Sequence, residues 1–158
     1  MDSGTRTGIY FGTTSGVITT LGVIIGLNAG TESLVAVVGG ILVIAVADAM
    51  SDALGIHLAQ ESDSTTSDRQ VWTATFATFF AKFLTALSFA LPFMLLSLTT
   101  AILISIVWGY LIISLLSYRL ATEQGMKPLN VIAEHVAIAT FVIVASHAIG
   151  SWVKSAIG

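Results

Sequence analysis

The sequence predicts an all-α polytopic membrane protein with five transmembrane helices and a cytoplasmic N-terminus. Hydrophobic residues make up 55% of the 158-residue chain and charged residues only 9%, whereas soluble domains carry about 25% charged residues. Five apolar stretches have roughly the twenty residues that a helix needs to cross ~30 Å of hydrocarbon. The chain has no cysteine, which excludes disulfides, thiolate metal sites and cysteine nucleophiles.

The five apolar stretches form one predicted domain over residues 1–158. Short polar segments separate them, and the most hydrophilic, QESDSTTSDRQ, covers residues 60–70. Pro92 predicts a kink or a stop near the end of the third span, and Ser97 to Thr100 form a weak link to the fourth. The predicted spans are about 8–28, 33–59, 71–95, 101–118 and 131–153.

The basic residues predict the orientation. Five spans place the two termini on opposite sides of a membrane, and Arg6, Arg69, Arg119 and Lys127 fall on the N-terminal side against Lys154 on the other. Positive residues are enriched in cytoplasmic loops, so we expect a cytoplasmic N-terminus. The expected location is the plasma membrane of a prokaryote, or an organelle membrane if the source is eukaryotic. This composition predicts a lipid bilayer, and no nucleic acid, as partner.

Asp48 and Asp52 are the strongest chemical signal. They are four residues apart in the second span, so they share one helix face, and each intramembrane aspartate costs at least ~2.5–3.5 kcal/mol. Two carboxylates on one face can bind a hard divalent cation or share protons. We favour a metal site at Asp48 and Asp52 over a buried pair with Lys82 or hydrogen bonds to serine and threonine. Ser51 lies beside this face and is a candidate lining residue.

Three further ionisable residues are candidates for a proton relay or a counter-charge. Lys82, in the third span, either pairs with an aspartate or extends towards the cytoplasm. Glu134 opens the fifth span, where a solvated interfacial position is the alternative. His147 lies deep in the fifth span and either relays protons or is a neutral, hydrogen-bonded histidine. His57, in the second span, should point away from Asp48.

The first span carries a stripe of small residues. Its members recur every three or four residues, and they are Gly8, Gly12, Ser15, Thr19, Gly22 and Gly26. Small residues let helices approach closely in lipid, so the stripe predicts either packing within the chain or a homodimer contact through Gly12, Gly22 and Gly26. Ser15 and Thr19 would add hydroxyl groups to the lining of a pathway.

Two segments resemble the vacuolar iron transporter family. SGVITTLGVIIG, residues 15–26, is similar to the first helix of that family, and ADAMSDALGIHLAQESD, residues 47–63, resembles the second. The ends of the third span at Leu91-Pro92-Phe93 and of the fifth at Ala148-Ile149-Gly150 also fit. The resemblance covers nearly the whole chain. It implies a five-span homodimer that exchanges ferrous iron, and often manganese, for protons along the dimer interface.

The chain departs from the family pattern in the residues that would bind the ion. Ser15 stands where the family has an aspartate, Asp52 where it has a methionine, Ile44 where it has a glutamate, and His57 where an aromatic residue is usual. Only residues 60–70 remain of the cytoplasmic metal-binding domain of the longer members. A site rebuilt around Asp48 and Asp52 favours oxygen-binding cations such as Mn²⁺ or Fe²⁺.

The predicted function is therefore a homodimeric, proton-coupled transporter of divalent metal ions with a carboxylate site at the dimer interface. We expect no permanently bound cofactor, because the metal ion is the substrate. The alternatives are a membrane scaffold whose buried polar residues only stabilise the helix assembly, and an uncoupled cation channel. An enzyme is not expected, since no pairing of a nucleophile with a base and no cofactor motif is present.

Overall fold

The computed structural model describes residues 2–157, and this range folds into five long helices without any strand. They are α1 (Ser3–Thr31), α2 (Leu34–Glu61), α3 (Asp68–Leu95), α4 (Leu98–Glu123) and α5 (Pro128–Ile157), and each is long and apolar enough to cross a membrane. The predicted all-α fold with five such helices is confirmed. The predicted link at Ser97 to Thr100 is too long, because α4 begins at Leu98.

Local chemistry explains where the helices begin. Ser67 and Gln70 form a capping box at the start of α3, in which the Gln70 side chain accepts a hydrogen bond from the Ser67 backbone N–H at 3.1 Å. Ser33 caps α2 by accepting from the backbone N–H of Ala36. Pro128 is the first residue of α5, where its missing N–H costs no helical hydrogen bond.

Pro92 neither stops nor interrupts α3 where it stands. The helix continues for three residues to Leu95, and the Leu96 backbone N–H then donates to the Pro92 carbonyl. Proline lacks the N–H that would donate to the carbonyl four residues earlier. Pro92 therefore weakens the last turn of α3 and favours the end of the helix at Leu95.

The second helix contains one π-helical turn, at Ile44–Asp48, between two α-helical parts. A π turn spreads its hydrogen bonds over five residues instead of four, and it occurs mostly as a single turn within an α-helix. It immediately precedes Ala49, so it lies directly before the part of α2 that carries Asp52.

Helix α1 is the centre of the bundle, because it packs against all four other helices. Successive helices run in opposite directions, so α1, α3 and α5 point the same way. The buried apolar core lies in the half of the bundle near the α1–α2 and α3–α4 connections. Leu21 and Ile24 of α1, Ile41 of α2 and Phe89 of α3 are completely buried there.

Glycines take the place of large side chains in the contacts of α1. Gly4, Gly8, Gly12 and Gly16 all face the backbone or small side chains of α3, and Gly22, Gly26 and Gly30 face Ser146 and Gly150 of α5. Close backbone approach at small residues is the usual packing of helices in lipid. The stripe is therefore divided into two rows that serve two partners within one chain.

Gly12 corrects the predicted dimer contact. A Cβ atom at Gly12 would lie 2.5 Å from the Thr78 carbonyl oxygen of α3, and the residue is buried. No second chain can reach this position, because α3 of the same chain occupies it. The interpretation of Gly12 as part of a homodimer interface was wrong, and the open alternative of packing within the chain applies to it.

We predict that Gly12→Ala lowers the free energy of unfolding by about 1–3 kcal/mol, since the added methyl group overpacks a backbone contact. Gly55→Ala is the matched control, because nothing lies within 4 Å of a Cβ atom there. Alanine at this helical position should be neutral or stabilising. Thermal unfolding in detergent, followed by circular dichroism, compares the two; equal midpoints would contradict the α1–α3 contact.

Candidate functional site

Four polar side chains meet halfway along the helices. The Lys82 ammonium of α3 lies 2.6 Å from Oδ2 of Asp48 and 2.6 Å from Oδ2 of Asp52, both on α2. Lys82 also donates to Ser15 Oγ of α1 at 3.0 Å, and Ser15 donates to Asp52 Oδ2 at 2.6 Å. We call these four residues the Lys82 cluster.

The cluster forms because three helices bring polar groups to the same depth. Asp48 and Asp52 are one turn apart on one face of α2, so a single ammonium group can reach both. Gly16, next to Ser15, contacts Thr85 and the Lys82 backbone without a side chain of its own. This close contact between α1 and α3 brings Ser15 within reach of the Lys82 ammonium.

Burial differs strongly among the charged members. The Lys82 side chain is 0% exposed, whereas that of Asp52 is 20% and that of Asp48 is 36% exposed. With all three groups ionised, two carboxylates face one ammonium, and one negative charge is left over. Asp48 is the most exposed of the three, so the remaining negative charge is most accessible there.

Asp48 opens into a cavity between α1, α2 and α5. The cavity has a volume of about 720 Å³ and is open at the protein surface. Its walls include Thr19, Gly22 and Gly26 of α1, Asp48 of α2, and Ser146 and Ile149 of α5. We call this cavity the Asp48 groove.

The predicted lining residues separate in the structure. Thr19 lines the Asp48 groove, and its hydroxyl donates to the Ser15 carbonyl oxygen at 2.8 Å. Ser15 lies in the Lys82 cluster. Ser51 is exposed on another side of α2 and is not part of the groove wall, so this cavity gives no support to the prediction that Ser51 lines a pathway.

Glu134 and His147 lie apart from the Lys82 cluster. Glu134 is exposed near the start of α5. His147 is exposed near the other end of the bundle, where it lines a separate cavity with Asn28, Glu32 and Lys154. In this structure neither residue is in a position to relay a proton to Asp48 or Asp52, whereas Lys82 has the position of a counter-charge to both.

Two further contacts involve ionisable residues outside the Lys82 cluster. Lys154 donates to Glu32 at 2.5 Å, and this ammonium holds the pKa of the Glu32 carboxyl below its usual value. His57 faces α3, the same helix whose Lys82 pairs with Asp48, so the expectation that His57 points away from Asp48 is not borne out. Its ring lies 2.9 Å from the Thr75 hydroxyl and packs edge-on against Trp72.

The atoms that could hold a divalent cation are already in contact with Lys82. The two Asp Oδ2 atoms and the Ser15 hydroxyl would supply hard oxygen ligands, but the ammonium sits between them. Within residues 2–157 no cluster of three or more histidine, aspartate or glutamate side chains is assembled. A metal at Asp48 and Asp52 would therefore have to displace the ammonium group.

Sequence reasoning missed how these groups combine. Ser15 was interpreted as neutral lining, but it donates to Asp52 and accepts from Lys82. A signal was present, because Ser15, Asp48 and Lys82 each lie near the middle of a span of similar length. The Asp48 groove had no signal of its own, since it depends on how α1, α2 and α5 diverge.

Comparison with known proteins adds no family assignment. No protein-family model matches the chain, and no curated protein matches it significantly. The resemblance to the vacuolar iron transporter family therefore stays a prediction.

We predict that Lys82→Met destabilises the fold, because it leaves two partly buried carboxylates without their counter-charge. Removing one partner of a fully buried pair costs about 3–5 kcal/mol, and the partial exposure of Asp48 and Asp52 should bring the loss below that range. Replacing both carboxylates as well, in Lys82→Met/Asp48→Asn/Asp52→Asn, should recover most of the loss. Lys154→Met is the control, since its partner Glu32 is exposed and the change should have little effect. The midpoint of thermal unfolding in detergent measures all three variants. A triple variant as unstable as Lys82→Met would refute the charge balance.

Proposed function

We propose that the protein is an integral membrane transporter that exchanges a divalent cation of the Fe²⁺/Mn²⁺ class for protons at Asp48 and Asp52. The observation that carries this proposal is the Lys82 cluster, a charged site halfway along apolar helices with one carboxylate open to a cavity. Ionisable groups at this depth of a membrane are costly and usually mark an ion or proton path.

The exposure of Asp48 favours transport over a sealed structural role. An ion can exchange only with a carboxylate that it can reach, and the Asp48 side chain is 36% exposed where it lines the groove. Asp52 lies one turn further along α2 and is less exposed. We therefore propose that a cation meets Asp48 first and Asp52 second.

Lys82 sets the condition for binding. A divalent cation that takes both carboxylates must displace the ammonium, and when the cation leaves, the ammonium or protons return to the same oxygen atoms. Proton and metal compete for the same lone pairs, which couples their movements. The two aspartates and Lys82 therefore act together as one binding site.

A membrane scaffold is the second candidate, and one observation favours it. Lys82 is completely buried and joins side chains of α1 and α2 to α3, which is what a structural tie requires. In that role both aspartates only neutralise the lysine, and their loss would affect stability alone. No observation of comparable weight favours the uncoupled channel.

We predict that Asp52→Asn abolishes metal-driven proton movement and reduces metal uptake into liposomes at least about tenfold, since an amide keeps the volume but loses the charge. Asp48→Asn should act in the same direction. Mn²⁺ and Fe²⁺ uptake and internal pH are recorded together. Asp68→Asn, an exposed carboxylate at the start of α3, is the control and should behave as wild type.

The scaffold and the transporter give different results in this assay. If the aspartates serve only stability, folded Asp52→Asn protein will move metal and protons at wild-type rates, or the wild type itself will move neither. Circular dichroism and gel filtration of each reconstituted variant establish that the protein is folded. Wild-type rates in folded Asp52→Asn protein would end the proposal.

We further propose a cytoplasmic N-terminus, a prokaryotic plasma membrane location and a homodimer. Arg6, Arg69, Arg119 and Lys127 lie at one end of the bundle, and Lys154 lies at the other. Unlike Gly12, Gly22 and Gly26 are only partly buried and line the open Asp48 groove. The groove side of α1 is therefore the part of the small-residue stripe that a second chain can still approach.

The absence of cysteine from the chain gives a direct test of orientation. We predict that a membrane-impermeant maleimide labels Ser155→Cys in intact cells but labels Ser64→Cys only after lysis. Both positions are exposed, at opposite ends of the bundle. The reverse pattern would establish an external N-terminus, and labelling of both in intact cells would show that the chain does not span the membrane as described.

A further inference from the structure

The Asp48 groove offers much more apolar wall than a bare metal ion would contact. Most of its walls are aliphatic or glycine, with hydroxyl groups from a few residues such as Thr19 and Ser146. Its volume of about 720 Å³ falls within the ~300–1,000 Å³ of pockets that hold small organic molecules. Asp48 is its one charged lining residue among the residues that the structure describes.

The charge of the Lys82 cluster also sets the charge of a fitting ligand. Asp48 and Asp52 carry two negative charges when ionised, and within residues 2–157 Lys82 is the only cation that pairs with either. One negative charge remains, so one monovalent cation at Asp48 would complete the balance without moving Lys82. A divalent cation in the same place would leave a positive excess unless Lys82 withdrew.

We propose that the Asp48 groove binds a monovalent organic cation with a bulky apolar body, such as a quaternary phosphonium or ammonium ion. The cationic centre lies at Asp48, and the apolar groups lie along Gly22, Gly26 and Ile149. Buried apolar area supplies binding energy, and the carboxylate selects the sign of the charge. This ligand goes beyond the proposed metal exchange, because it uses the groove and leaves the Asp52–Lys82–Ser15 contacts intact.

The shape of the groove permits entry from the side. It is open at the protein surface between α1, α2 and α5, so in a membrane its mouth would face the bilayer. An apolar cation dissolves in the bilayer and could enter there directly. A second copy of the chain or a lipid tail is the competing occupant, and the experiment includes both.

Two ions of nearly equal size and opposite charge test the proposal. The protein in nanodiscs of zwitterionic lipid is titrated with tetraphenylphosphonium and, separately, with tetraphenylborate, and binding to empty nanodiscs is subtracted. We expect saturable binding of about one phosphonium per chain and no saturable binding of the borate. Asp48→Asn should weaken phosphonium binding at least about tenfold, and Asp48→Glu should retain most of it.

A pair of tryptophan variants tests the groove without touching the charges. Ile149→Trp adds bulk to the groove wall and should weaken phosphonium binding. Val144→Trp is the matched control on the same helix, because Val144 is equally exposed, at 62%, and is not among the groove residues. This pair also keeps the test valid if Asp48→Asn fails to fold.

Three results would overturn the proposal. Equal binding of the phosphonium by wild type, Asp48→Asn and Ile149→Trp would indicate partition into lipid. Equal binding of phosphonium and borate would exclude selection by Asp48. No phosphonium binding by protein whose particle mass shows a dimer would indicate that a second copy fills the groove. Metal uptake is measured on the same protein batches reconstituted into liposomes, so failure of organic cation binding is distinguishable from failure of metal exchange.

Discussion

The contact of one lysine with two aspartates is the constraint on which the rest of the molecule depends. Lys82 is completely buried in the middle of a bundle whose charged residues, apart from Asp48 and Asp52, lie near helix ends. A buried ammonium is tolerated only with partners in good geometry, and Asp48, Asp52 and Ser15 provide them from two other helices. The relative positions of α1, α2 and α3 are thus coupled to one charge balance.

Glycine packing makes this charge balance geometrically attainable. The first glycine row of α1 brings its backbone against α3, and the second brings it against α5. Thr19 lies between the two rows, and Ser15 directly precedes Gly16, the last glycine of the first row. Ser15 belongs to the Lys82 cluster and Thr19 lines the Asp48 groove. The change of packing partner along α1 therefore coincides with the polar region of the bundle.

The sequence predicted the five helices because length and apolar composition are local properties. It also placed Asp48 and Asp52 on a common face, since they are four residues apart. It could not resolve the partner of each small residue, because a stripe on one helix does not specify which neighbour covers it. Gly12 was therefore misinterpreted.

The positions of Glu134 and His147 could not be predicted for a similar reason. Both are ionisable and lie in an apolar span, but their distance from Asp48 depends on where α5 packs along α1. The π turn at Ile44–Asp48 also had no recognisable pattern in the sequence. It adds a residue to one turn, so angles computed for a regular α-helix do not carry across it.

The parallel contacts of α1 have a consequence for how the chain is made. Helices adjacent in sequence run antiparallel, but both glycine rows of α1 serve helices that are synthesised later, α3 and then α5. The glycine faces of α1 therefore stay uncovered until those later helices have been made. The ion pairs at Lys82 can form once α3 has joined α1 and α2, whereas the side of α1 towards Ser146 and Gly150 is covered only after α5 has been synthesised.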